Sequence, residues 1–178
     1  SKKMSKSLDN NILPDELFSG KNDIFSKSYD PNIIRFFFLQ AHYRNELDIS
    51  EDAIQSSEKG FNRLVEMIDR LNNLKVSKTN NDEILKSIKD LEKKCYSCLD
   101  DDFNTPMLIA EIFNSSKLIN QIEANGNFGD REKEYFLNLF DTLLDKILGL
   151  NYTKSTADND SILGLSLIHI SEPTRPSI

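Results

Sequence analysis

Apolar side chains recur every three or four positions along most of this chain, and this spacing constrains the fold more than any other sequence feature. Short polar stretches interrupt the repeat between residues 31 and 149. No segment alternates apolar and polar residues in the way of a half-buried strand. A period near 3.6 residues places the apolar side chains on one face of a helix. The sequence therefore predicts an all-α fold, an antiparallel bundle of about four or five helices.

Capping residues indicate where the first helices of this bundle begin. Asp30 precedes Pro31, and a carboxylate cap followed by proline at the first helical position is a typical helix start. We expect this helix to end near Tyr43. Ser50 is a second cap, followed by acidic residues that favour the positive end of a helix, and its helix is predicted to run to about Leu74.

Polar breaks divide the second half of the chain into further helices. The acidic stretch at 100–104 ends a third helix, after which Thr105 and Pro106 are interpreted as the N-cap and first residue of the next. The last helix is predicted to start near Asp130 and to stop at Gly149, a glycine C-cap.

Composition restricts the kinds of partner that the surface favours. Of 178 residues, 22 are Lys or Arg and 29 are Asp or Glu, which gives a net charge of -7. An acidic total argues against indiscriminate binding to nucleic acid but allows a local basic patch. The sequence also lacks an apolar run of about 18 residues, so no membrane association is expected.

Two cysteines, Cys95 and Cys98, form a Cys-x-x-Cys pair. Such a pair occurs in zinc and redox sites, but here no second pair and no nearby histidine completes four ligands. Both cysteines fall on the apolar face of the third helix. We therefore expect buried small apolar side chains and no metal site.

The two ends of the sequence differ from its middle. The chain opens at Ser1 without an apolar leader and reads as the middle of a longer protein. Leu165 to Arg175 matches the in-frame translation of a transposase adapter used in DNA sequencing libraries. We therefore interpret 165–178, including His169, as adapter-derived, within a disordered tail that starts at residue 152.

Three motifs carry a family resemblance. The first, Lys3-Met4-Ser5-Lys6-Ser7, matches the signature loop of class I aminoacyl-tRNA synthetases. Together with His42-Tyr43-Arg44 and the Asp-Asp-Asp-Phe-Asn-Thr-Pro block at 100–106, in this order and spacing, it resembles cysteinyl-tRNA synthetase over residues 1 to 150. Asp9 departs from the family, which usually has glycine there, and adds a negative charge beside the loop.

The resemblance implies a catalytic role for the loop. In the family, the carboxylate of cysteine attacks the α-phosphate of ATP, and positive charge must neutralise the departing pyrophosphate. Lys6 is then the lysine that contacts ATP and Lys3 supports it, while Met4, Ser5 and Ser7 complete the ATP-binding loop. Small serines allow such a loop to close and reopen.

Further expectations follow from the same resemblance. Residues 1–30 correspond to the end of the catalytic region and 31–151 to a helical tRNA-binding domain of the class I anticodon-binding type. The partners are tRNA(Cys), ATP and cysteine, the family's zinc is held by an upstream catalytic domain, and the protein is a cytoplasmic monomer. The fragment alone is expected to be inactive because it holds one edge of the ATP site.

Basic side chains on two predicted helices are candidates for tRNA contact. They are Lys86, Lys89, Lys93, Arg63 and Arg70. The alternative is an ordinary solvated helix face, which the interspersed acidic residues favour.

Two other polar groups have alternative interpretations. His42 is either a tRNA or domain contact or a partner of a helix C-terminus. The carboxylates at 100–102 are a metal site or, as we favour, a structural cap of the next helix.

Two functions other than cysteine–tRNA ligation stay open. A related ligase of mycothiol synthesis joins cysteine to an amino-sugar inositol and shares the loop and the helical region. The abundance of Asn, Lys and Ile indicates an AT-rich genome, which weighs against that ligase. The other alternative is a non-catalytic helical module that binds tRNA or another partner.

Overall fold

The structure, a computed structural model, describes residues 13–20, 25–126 and 128–152. These ranges contain seven α-helices and one π-helical segment, and no strand. The helices are α1 (Pro14–Ser19), α2 (Pro31–Leu39), α3 (Glu51–Asn73), α4 (Asp82–Asp100), α5 (Thr105–Asn114), α6 (Ser116–Asn125) and α7 (Asp130–Phe140), and the π segment is Asp141–Ile147. The prediction of an all-α helical bundle is confirmed.

Several predicted residues lie outside the described ranges. These are Lys3, Met4, Ser5, Lys6 and Ser7 of the candidate ATP loop, Asp9, and the tail from residue 153 onward, including the adapter-like residues 165–178.

Two predicted helix starts are confirmed by their hydrogen bonds. The carboxylate of Asp30 accepts a bond from the backbone N–H of Asn32 at 2.7 Å, and the Ser50 hydroxyl accepts one from Ala53 at 3.3 Å. Such caps satisfy backbone donors that have no partner within the helix.

The end of α2 and the start of α5 differ from the predictions, and one long-range contact explains both. Thr105 is the first residue of α5 and not its cap, because Asn104 accepts the bond from Met107 N–H at 3.3 Å. The Thr105 hydroxyl instead donates to the backbone carbonyl of Leu39 at 2.7 Å. That bond satisfies the last carbonyl of α2, which ends at Leu39 and not near Tyr43.

The helices after residue 105 are shorter than their periodicity predicts. Ser115 separates α5 from α6, and its buried hydroxyl donates to the carbonyl of Ile112 at 2.5 Å. At the other end, α7 widens into the π segment, where the Leu148 N–H reaches the Leu143 carbonyl, five residues back, at 3.0 Å. Gly149 follows with a φ of +64°, as a glycine C-cap requires.

The core lies where α2 and α3 meet α4, α5 and α7. Phe36 of α2 packs against Phe61 of α3 with ring centroids 5.5 Å apart, and Phe136 stacks on Phe140 at 4.9 Å. Burying one such ring contributes about 2–3 kcal/mol to folding. Among the helices of the described residues, none combines the length and apolar character needed to cross a lipid bilayer.

Candidate functional site

The first described helix after the candidate ATP loop is α1. The Leu13 N–H donates to the carboxylate of Glu16 at 2.9 Å, which fixes the start of this helix. Gly20 ends it in a left-handed conformation with φ +67°, and a side chain there would collide with the backbone of Lys27 and Ser28. Only glycine therefore allows α1 to lie this close to the next loop.

That next loop is fastened to α3 by polar side chains. Ser26 donates to the Glu51 carboxylate from its backbone N–H at 3.1 Å and from its hydroxyl. These bonds hold the pKa of Glu51 below its usual range. Lys27 pairs with Glu58 at 2.8 Å, and Glu58 lies about two turns after Glu51 on α3. The residues after the candidate loop are thus joined to the helical bundle.

A cluster of four side chains, which we call the junction cluster, consists of His42, Tyr43, Arg44 and Asp102. The Tyr43 hydroxyl donates to Asp102 Oδ1 at 2.7 Å, and Arg44 Nη2 pairs with Asp102 Oδ2 at 2.9 Å. Arg44 Nε also donates to the Tyr43 oxygen at 2.9 Å. Because its hydroxyl donates to a carboxylate, the pKa of Tyr43 is raised. Both carboxylate oxygens of Asp102 are therefore occupied by residues that precede α3.

His42 completes the junction cluster. Its ring stacks on Tyr43 with centroids 4.8 Å apart, and its Nδ1 accepts the Arg44 N–H at 3.3 Å. In the neutral ring the proton then lies on Nε2, which is 3.9 Å from Asp102 Oδ2. His42 lies beyond the end of α2 at Leu39, so it is not placed as a partner of that helix C-terminus. Its contacts with Tyr43, Arg44 and Asp102 instead agree with the alternative interpretation of His42 as a domain contact.

The backbone at Asp102 and Phe103 is left-handed at two successive residues, with φ of +54° and +53°. Each such non-glycine residue costs about 1–2 kcal/mol. The carboxylates at 100–102 have the structural role that we favoured, but not as the cap of the next helix, because Asn104 caps α5 and Asp102 contacts Tyr43 and Arg44. The sequence contained both motifs of this cluster, but nothing in their spacing indicated that they touch.

The N-terminal end and the middle of α2 contact the last described residues of the chain. Arg35 Nη1 donates to the carbonyl of Gly149 at 2.7 Å, and the Asn151 N–H donates to Asn32 Oδ1 at 2.9 Å. Together with the Thr105 bond to Leu39, these contacts bind α2 at both of its ends.

The predicted lysine stripe is exposed on α4. Lys86, Lys89 and Lys93 lie opposite the buried Ile84 and Ile88. Lys89 lies 5.9 Å from the ring centre of Tyr135, and Lys93 lies 3.7 Å from Asp90. Exposed pairs of this kind are weak, so they leave the lysines able to turn toward another anion.

The two candidate arginines of α3 line one groove of about 410 Å³, together with Phe113. Arg63 is exposed there. Arg70 Nη2 instead contacts Glu123 at 2.5 Å and Asn120 at 2.9 Å, both on α6. Arg70 thus already has an anionic partner within the chain, which weakens it as a contact for phosphate.

The cysteine pair has the environment of core residues. Cys95 is fully buried, and burial raises the pKa of its thiol to about 12. Cys98 is half-buried, and its pKa is raised for the same reason. Within 13–20, 25–126 and 128–152, no three His, Cys, Asp or Glu side chains lie close enough to hold a metal ion. The resemblance assigns the family's zinc to an upstream catalytic domain and not to these cysteines.

Two family models match this chain in succession. Residues 1–59 match the family described as tRNA synthetases class I (C) catalytic domain, and residues 94–153 match the DALR domain. His42, Tyr43 and Arg44 fall in the first match and Asp102 in the second.

Curated relatives match across both segments. The chain is 40% identical over 157 residues to a cysteine–tRNA ligase of Bacteroides thetaiotaomicron. The matched region is 88% of this chain and 31% of the relative. Cysteine–tRNA ligases of Porphyromonas gingivalis and Chlorobaculum tepidum are 36% and 40% identical and cover 89% and 83% of the chain. The matched region is 32% of the former relative and 28% of the latter, so the chain spans about a third of the length of these relatives.

Proposed function

Because this chain belongs to the family of class I cysteine–tRNA ligases, we propose that it is part of an enzyme that activates cysteine with ATP and transfers it to tRNA(Cys). The observation that carries the proposal is the order of the two matches, in which a catalytic segment precedes a DALR segment within one chain. The partners we propose are cysteine, ATP and tRNA(Cys), and we expect a cytoplasmic monomer.

The chemistry assigned to this chain belongs to the loop at residues 3–7. The cysteine carboxylate attacks the α-phosphorus of ATP, the bond to the bridging oxygen breaks, and pyrophosphate leaves with the negative charge. A lysine ammonium is a mobile point charge that stabilises this developing charge. Lys6 is proposed to contact the phosphates, supported by Lys3, while Met4, Ser5 and Ser7 shape the loop.

The transfer step uses the helical bundle. A ribose hydroxyl at the end of the tRNA attacks the carbonyl carbon of the cysteinyl adenylate, AMP leaves, and an ester forms. The bundle is proposed to hold the tRNA during this attack. The exposure of Lys86, Lys89 and Lys93 supports a contact between α4 and the phosphates of the tRNA. The exposure of Arg63 supports a similar contact on α3. Arg70 is the weakest of the five candidates because both Glu123 and Asn120 contact its guanidinium.

The test uses the complete protein encoded by the reading frame in which this chain lies. We expect cysteine-dependent exchange of pyrophosphate into ATP and formation of cysteinyl-tRNA(Cys). Lys6→Ala should reduce the exchange rate at least about 100-fold, since loss of one group that stabilises transition-state charge has effects of this size. Lys2→Ala removes an equal charge four residues earlier and should leave exchange within about twofold.

Three results would contradict the proposal. Normal exchange in Lys6→Ala would remove the role of this lysine. Exchange that depends on cysteine without any charging of tRNA would favour a cysteine ligase with another acceptor, such as an amino-sugar. Absence of both activities in the wild-type protein would favour a non-catalytic module.

A further inference from the structure

Helix α2 lies in the segment that matches the catalytic-domain family, yet its two ends are bonded to the segment that matches the DALR family. At its N-terminal end, Asn32 Oδ1 accepts from the Asn151 N–H at 2.9 Å, and in its middle Arg35 donates to the Gly149 carbonyl at 2.7 Å. At its C-terminal end, the buried Thr105 donates to Leu39 at 2.7 Å. The two segments are therefore joined by hydrogen bonds between specific pairs of atoms.

Asp102, three residues before Thr105, makes a further attachment between the two segments. Its Oδ1 accepts from Tyr43 at 2.7 Å and its Oδ2 from Arg44 at 2.9 Å, so the carboxylate joins two residues of the catalytic segment. The left-handed backbone at Asp102 aims the side chain at them. Strained backbone of this kind persists where the surrounding contacts hold it, and it is common at functional positions.

We infer that Asp102 is a positioning residue for the transfer step: by holding Tyr43 and Arg44, it sets the orientation of the segment that matches the catalytic-domain family relative to the segment that matches the DALR domain. This inference rests on the proposed function. Activation of cysteine needs only cysteine and ATP. Transfer also needs a tRNA that is held by the bundle and attacks at the catalytic segment, so only transfer depends on the relative placement of the two.

The sensitivity of transfer to this placement has a physical basis. A reaction between two held groups requires reacting atoms within about 3–3.5 Å, and a displacement of about 1 Å costs on the order of 100-fold in rate. Small rotations at the junction cluster are amplified along the bundle. A change at Asp102 that leaves both segments folded should therefore separate the two half-reactions.

The test compares two half-reactions in the complete protein and in four variants. Asp102→Asn keeps the shape and the tolerance for a left-handed backbone, but an amide offers one acceptor oxygen in place of two. We expect single-turnover transfer at saturating tRNA to fall at least about tenfold, with pyrophosphate exchange within about twofold of wild type. Asp100→Asn makes the same charge change two residues earlier, and both rates should stay within about twofold.

Tyr43→Phe provides a second route that removes one hydroxyl and no charge. We expect transfer to fall by a smaller factor. The Tyr43→Phe/Asp102→Asn double variant should be no slower than Asp102→Asn, because both changes break the same contact. If Asp102→Asn lowers the melting temperature, the Tyr43→Phe single variant provides the test.

Particular outcomes would overturn the inference. Equal losses of exchange and transfer in Asp102→Asn and in Tyr43→Phe would mean that the cluster serves stability alone. Unchanged transfer in both variants would mean that the cluster has no positioning role. Failure of the wild-type protein to charge tRNA(Cys) would instead overturn the proposed function and the inference with it, so the two failures are distinguishable.

Discussion

Arg35 and Gly149 are 114 residues apart in the chain, and a hydrogen bond of 2.7 Å joins the guanidinium of one to the carbonyl of the other. Gly149 has a φ of +64°, and a β-carbon built there would collide with the Arg35 guanidinium. The backbone conformation thus favours glycine, and a β-carbon there would push away the end of the Arg35 side chain and break its hydrogen bond.

Gly149→Ala is expected to destabilise the chain by about 2–4 kcal/mol, since it adds left-handed strain to the loss of a charged hydrogen bond. The measurement is urea unfolding of the 178-residue chain. Gly126→Ala is the matched control because its φ is +68° but a β-carbon there has no neighbour among the described residues within 4 Å. Equal destabilisation by the two variants would mean that the Arg35 contact contributes nothing.

Ser57 lies buried in α3, and its hydroxyl has no hydrogen-bond partner among the described residues. Removing an unsatisfied buried polar group recovers its desolvation cost, about 1–3 kcal/mol. Ser57→Ala should therefore stabilise the chain more than Ser56→Ala, which replaces an exposed neighbour and changes only helix propensity. Unfolding midpoints of the two variants measure the difference, and a destabilised Ser57→Ala would reveal a partner for the hydroxyl.

Alkaline pH should destabilise the fold through Cys95. An unfolded thiol loses its proton near pH 8.5, whereas burial raises the pKa of Cys95 to about 12. Below pH 8 both states keep the proton. As the pH rises from about 8.5 to about 12, the unfolded state alone releases it, so stability falls by up to about 1.4 kcal/mol per pH unit.

Cys95→Ala tests this linkage through the slope of stability against pH and not through stability itself. Above pH 9, we expect the variant to show a shallower decline than wild type. Cys98→Ala, in the half-buried partner, should change the slope less. The same slope in wild type and in Cys95→Ala would show that other groups, such as the tyrosines, cause the alkaline loss.

The lysine stripe on α4 makes a prediction about salt. If Lys86, Lys89 and Lys93 contact tRNA phosphates, the Lys→Glu triple variant should bind tRNA(Cys) more weakly and reduce the slope of log K against log salt by about two to three. Lys75→Glu and Lys78→Glu, on the exposed loop between α3 and α4, serve as controls for net charge. An unchanged slope in the triple variant would assign the stripe to the solvated surface.

Local chemistry is what sequence reasoning captured best. The starts of α2 and α3 follow from Asp30 with Pro31 and from Ser50, because a cap and its helix are neighbours in the chain. The buried Cys95 likewise follows from the helical period.

Contacts between distant residues account for the predictions that were wrong. Periodicity extends α2 to Tyr43, but Thr105 satisfies the carbonyl of Leu39 and ends the helix there. The role of Asp102 was missed for a similar reason, since its partners are 58 and 59 residues away, at Arg44 and Tyr43. The predicted ATP loop, Lys3 to Ser7, stays a prediction because it lies outside the described residues.

The attachment of α2 at both ends also constrains the order in which the chain can reach its native arrangement during synthesis. Residues 31–39 leave the ribosome long before Gly149 and Asn151, which contact Arg35 and Asn32 of this helix. Helix α2 can form and pack on α3 early, but its final position requires nearly the whole described chain. The final placement of α2 therefore waits for residues that are translated 114 positions later, and the surface of α2 that they contact is exposed to other nascent chains in the interval.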